Sequence, residues 1–105
     1  METQATSPEP TREDLDAQPG TTLLEFGTAW CGFCRAAQPL IASALSHHPE
    51  VRHIKVEDGP GRRLGRSYRV KLWPTLVLLV DGQEAGRVLR PATPDELEAL
   101  LALQR

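Results

Sequence analysis

Two cysteines, Cys31 and Cys34, stand three positions apart in Trp30-Cys31-Gly32-Phe33-Cys34 and are the only two in the chain. They follow the apolar run Leu23-Leu24-Glu25-Phe26. A strand that ends in such a pair and opens a helix builds a thiol–disulfide exchange site. The first thiol then lies at a helix N-terminus, where unpaired backbone N–H groups and the positive end of the dipole favour a thiolate. Cys31 is the candidate nucleophile. Cys34, one turn further in, is the candidate resolving thiol, which attacks the mixed disulfide and releases reduced product. Two cysteines are too few for a four-cysteine zinc site within one chain, and no metal ligand is assigned. The pair could still supply half of a metal site shared between two chains, so a non-enzymatic binding module stays open as an alternative.

Several elements must hold this pair in place. Residues 1–10 are polar and proline-containing and are expected to form a disordered tail, leaving residues 11–105 as one domain. Thr11 and Asp14 predict a short capped helix over 12–17, ended by Pro19-Gly20. Thr21–Gly27 reads as a buried strand. The segment 33–47 has helical spacing, with Ala36, Ala37, Leu40, Ile41, Ala44 and Leu45 facing inward and Pro39 placed to kink it. Val51–Glu57 alternates as a second strand, and a short basic helix is expected around 62–68. Thr75–Val80 is a continuous apolar run suited to a central strand, Asp81-Gly82 a hairpin turn, and 84–89 the returning strand. Thr93-Pro94-Asp95-Glu96 opens a terminal helix whose stripe is Leu97, Leu100 and Leu101. This order predicts an α/β fold, a mixed sheet with helices on both faces.

Composition narrows the function. The 105 residues are 40% hydrophobic with a formal charge of −2, and no dense Lys/Arg block offers a footing for nucleic acid. No apolar run approaches the length of a membrane span, and no secretory signal is evident, so a cytoplasmic protein is expected. In that reducing compartment a lone close pair reads as redox-active rather than as a staple. His47, His48 and His53 lack ligand geometry with the cysteines and read as surface residues. Arg62, Arg63, Arg66 and Arg69 read as a solvated helix face.

From about residue 21 onward the chain resembles the thioredoxin family. Trp30-Cys31-Gly32-Phe33-Cys34 is similar to the family's WCGxC site, Pro39 to its helix-kinking proline, and Trp73-Pro74-Thr75 to its loop with a cis proline. The resemblance implies a thioredoxin-like fold and a thiol–disulfide oxidoreductase that reduces protein disulfides through a Cys31–Cys34 dithiol–disulfide cycle. It implies no bound cofactor beyond that redox-active disulfide. The expected partners are disulfide-containing proteins and a separate reductase as electron donor, with the protein a monomer; the alternative within redox chemistry is a dedicated partner of a single protein. Trp30, Gly32, Phe33, Trp73, Pro74 and Thr75 would form the substrate surface. Glu25 would take the place of the family's buried acid that handles the proton of the resolving thiol, with a pKa raised by burial. Lys55 would be its charge partner.

Three departures from the family pattern stand out. Phe33 replaces the usual proline between the cysteines. Because Gly-Phe brings no positive charge, only a modest depression of the Cys31 pKa is expected, which favours reduction over oxidation. Trp73, and Arg90 where thioredoxins often have glycine, add bulk to the docking groove. The family's first strand has no counterpart in residues 1–20.

Overall fold

A computed structural model describes residues 9–104; the expected tail therefore lies outside the described residues, apart from Glu9 and Pro10. The elements are α1 (Arg12–Asp16), β1 (Thr21–Gly27), α2 (Gly32–Ser46), β2 (Arg52–Glu57), α3 (Arg63–Ser67), β3 (Thr75–Val80), β4 (Gln83–Leu89) and α4 (Pro94–Leu101). The sheet order is β2-β1-β3-β4, with β1 parallel to β2 and antiparallel to β3, and β4 antiparallel to β3.

β1 is central and apolar because both of its faces are covered. Leu23, with Leu76 and Leu78 of β3, packs under α2 and α4 against Ile41, Leu97 and Leu101. Leu24 and Phe26 point the other way, into Leu15 of α1, Leu64 of α3, Tyr68, Val77 and Leu79. α2 buries Cys34, Ala37, Ile41 and Ala44. The expected inward set is corrected at Ala36, which is exposed, whereas Leu40 and Leu45 are half-buried and pack against the same core. Cys34 itself belongs to the buried row, and a residue two positions later points to the opposite side of a helix.

Local chemistry explains the ends of the elements. Thr11 Oγ1 accepts from the Asp14 N–H at 3.0 Å, and Asp14 returns the bond to the Thr11 N–H, so α1 has a complete capping box. α1 occupies the part of the chain where the family's first strand was missing. It is tied down by Arg12, which donates to the Ser67 carbonyl at 2.7 Å and stacks 3.9 Å above the Tyr68 ring. The hairpin turn has positive φ at both Asp81 and Gly82, as a two-residue turn of the primed type requires. At α4, Glu96 accepts from the Ala92 and Thr93 N–H groups.

β1 ends at Gly27, and the reason is close approach. A Cβ there would stand 2.5 Å from Cys34 Sγ and 4.0 Å from the Pro74 Cβ. Gly27→Ala is therefore expected to push Cys34 off its position, at a cost of about 1–3 kcal/mol. Urea denaturation checks the stability loss, and a retained midpoint would show that the thiol has room to move.

Candidate active site

The redox pair is built on the start of α2. Cys31 is the N-cap, with extended backbone, and its sulfur accepts the Cys34 N–H at 3.1 Å. Both thiols are free and buried, at 7% exposure for Cys31 and 4% for Cys34, so exposure barely distinguishes them. Chemistry separates them instead. Burial pushes the Cys31 thiol up, but hydrogen bonds from the Cys34 side chain and the Cys34 and Phe33 backbone, with the Arg90 charge, bring it below the ordinary thiol value. Burial, the shared hydrogen bond with Cys31 and the charges of Cys31 and Glu25 push Cys34 up to about 11, against a backbone hydrogen bond with Thr28.

The positive charge missing from Gly32-Phe33 is supplied by Arg90. Its guanidinium lies 4.0 Å over the Phe33 ring, and its Nε donates to the Trp73 carbonyl at 2.8 Å. Arg90 holds φ at 47°, where an L-residue is uncommon, and its N–H donates to the Pro74 carbonyl at 2.9 Å. The Trp73–Pro74 bond is cis. Trp73 meets Trp30 edge-on at 5.6 Å between ring centroids, and its Nε1 donates to Asp58 Oδ2 at 2.9 Å. Trp30 and Phe33 are strongly exposed, at 70% and 57%, which makes an apolar rim beside the thiols. Gly32 has open space where a side chain would project. Pro74 is buried behind the rim. Thr75 departs from its expected place on the substrate surface: it is fully buried and its hydroxyl donates to the Leu72 carbonyl at 2.6 Å. Pro39 lies on the exposed side of α2, one turn beyond Cys34.

Glu25 is buried at 4% exposure, on the α2 side of β1. Gln38 Nε2 donates to its Oε2 at 2.6 Å and to the Cys34 carbonyl at 2.9 Å. His53 Nε2 lies 2.8 Å from Oε1. Lys55 pairs with Glu25 in the β1–β2 register but donates to Gln38 Oε1 at 3.1 Å, so the direct partner is His53 and the lysine acts at one remove. The expected direction of the Glu25 pKa is also reversed. Burial raises it, but the hydrogen bonds of His53 and Gln38 and the charges of His53 and Lys55 together hold it below the usual carboxylate value. An ionised carboxylate only accepts, so His53 presents Nε2–H to it.

His53 is thus no ordinary surface histidine. His53 and Gln38 lay outside the expected site, although each carried a signal: Gln38 is one helical turn past Cys34, and His53 alternates onto the same face of β2 as Lys55. A groove of about 1110 Å³ joins these groups, lined by Glu25, Trp30, Cys34, Gln38, His53 and Lys55 among others. Among the described residues, no group of three or more His, Cys, Asp or Glu is placed to hold a metal ion.

The thioredoxin family model matches residues 2–102. Thioredoxin 2 of Pseudomonas aeruginosa PAO1, solved in its reduced form, is 58% identical and superposes with a TM-score of 0.84, covering 98% of this chain and 96% of that one. Mitochondrial thioredoxin 3 of Saccharomyces cerevisiae is 28% identical with a TM-score of 0.72, covering 84% and 83%. Among curated sequences, the thioredoxin of Chlamydia trachomatis is 31% identical over 79% of this chain and 81% of its own length. Thioredoxin-2 of Pyricularia oryzae is 34% identical over 76% of this chain, a match that spans 46% of that relative. Fold, redox pair, proline loop and these likenesses agree: the chain belongs to the thioredoxin family.

Proposed function

We propose that the protein reduces disulfides in other proteins, with Cys31 as nucleophile, Cys34 as resolving thiol and a separate reductase restoring the dithiol. The observation that carries this reading is the placement of the two thiols: Cys31 caps α2 and its sulfur accepts the Cys34 N–H at 3.1 Å, while Cys34 lies buried one turn further in, an arrangement that lowers the first thiol's pKa and raises the second's. The Cys31 thiolate attacks one sulfur of a substrate disulfide, forming a mixed disulfide and expelling the first substrate thiolate. Cys34 then gives up its proton and attacks Cys31 Sγ. The internal disulfide forms, the second substrate thiolate leaves, and two electrons have passed to the substrate.

The timing of the second step follows from what raises the Cys34 pKa. Two of its causes, the hydrogen bond and the charge of Cys31, disappear when Cys31 is tied up in the mixed disulfide. Cys34 therefore becomes more acidic at the moment when its thiolate is needed. Glu25, ionised and lining the same groove as Cys34, is the group that would accept this proton, while the His53 Nε2–H holds the carboxylate in place.

Cys31→Ser should abolish turnover, whereas Cys34→Ser should accumulate a mixed disulfide visible by mass; turnover retained in either variant would sink the mechanism. In Cys31→Ser, the Cys34 thiol should titrate below about 11, because removing a neighbouring anion favours ionisation; thiolate absorbance against pH reads this directly. Equilibrium with thiol buffers should place the pair near about −270 mV, as for thioredoxin reductants, and a value above roughly −200 mV would reverse the proposed direction of exchange.

A further inference from the structure

A second concavity of about 260 Å³ reaches the rim of the redox site through Trp73. Trp73, whose ring also meets Trp30, lines it together with Arg62, Arg66, Lys71 and Asp58. The three cations are exposed. Among the described residues, the Arg66 and Lys71 side chains make no hydrogen bond or ion pair, and the Arg62 side chain reaches only the exposed Glu57 at 3.5 Å. Asp58 is already committed through Oδ2 to the Trp73 indole. Arg62 and Arg66, which read in sequence as part of a solvated basic face, therefore project with Lys71 around one wall of the docking rim. They do so in a chain whose formal charge is −2, so the concentration of cations runs against the overall sign.

Resting on the reductase reading, we propose that this cleft docks an acidic polypeptide segment flanking the partner's disulfide. The Trp30–Trp73 rim takes the residues next to the attacked cysteine. Arg62, Arg66 and Lys71 take carboxylates further along the extended segment. Arginine presents its donors as a fork suited to carboxylates, and a cleft lined by one sign of charge raises the encounter rate of the opposite sign. Trp73 ties the two parts together, since it is both a wall of the cleft and the residue before the cis proline.

The test uses pre-reduced full-length protein in single turnover, followed by fluorescence of Trp30 and Trp73. The probes are peptide disulfides of one length flanked by an Asp/Glu, a Ser/Asn or a Lys run, with 2-hydroxyethyl disulfide as a small neutral probe. At low ionic strength the acidic peptide should react about tenfold faster than the Ser/Asn peptide. That ratio should fall toward one at about 0.5 M salt and in the Arg62→Gln/Arg66→Gln/Lys71→Gln variant, while Arg66→Glu should shift preference toward the lysine peptide. Equal rates for the three peptides, with 2-hydroxyethyl disulfide still reduced, would overturn the docking inference alone. Failure to reduce 2-hydroxyethyl disulfide would overturn the reductase reading and this one with it.

Discussion

The Cys34 amide donates its hydrogen to the Cys31 sulfur, and most of the site follows from that one contact. It makes the nucleophile the cap of its own helix, so the group that must carry negative charge also satisfies a backbone donor that would otherwise be orphaned. It fixes Cys34 on the buried row of α2 and thereby sets the rotation of the helix over the sheet. Gly27 must then lack a side chain, because Cys34 Sγ fills the space a Cβ would need. Helix stability and thiolate stability are served by the same geometry, which is why a sulfur can replace the oxygen usually found at this position.

A ring of longer-range contacts tunes that core. Arg90 is brought back to the pair by the return strand β4, and is clamped between the Phe33 ring and the Trp73 carbonyl. Its charge acts on Cys31, whereas Glu25 acts on Cys34 with the opposite sign. The two thiols are therefore pulled apart by groups of opposite charge. Gln38 links the acid to the helix that carries the cysteines, so neither can shift without disturbing the other.

Much of this was legible in the residues. The strands at Thr21–Gly27 and Thr75–Val80 have continuous apolar runs, the Asp81-Gly82 turn has its own backbone chemistry, and Thr93 to Glu96 spell a helix start; each signal is local and each element stands where it was expected. What local signals could not carry is register and rotation. Whether Glu25 meets His53 or Lys55 depends on how β2 slides along β1, and the acid's pKa depends in turn on which partner it meets. The exposure of Ala36 depends on the helix turning Cys34 inward. Arg90 and Phe33 lie 57 positions apart, and only the folded chain brings a cation to a dipeptide that has none.

The sheet ends on one side at β2, whose outer edge has no strand partner among the described residues. Such an edge is an open template for another chain. Here the six residues Arg52 to Glu57 are interrupted by charge, with Arg52, Lys55 and Glu57 all exposed and mixed in sign. Pairing a further strand along this edge would draw those charges out of water, so the edge is a poor template for a flat, dry stack. The same few side chains that leave this edge uncovered thus act against extension of the sheet.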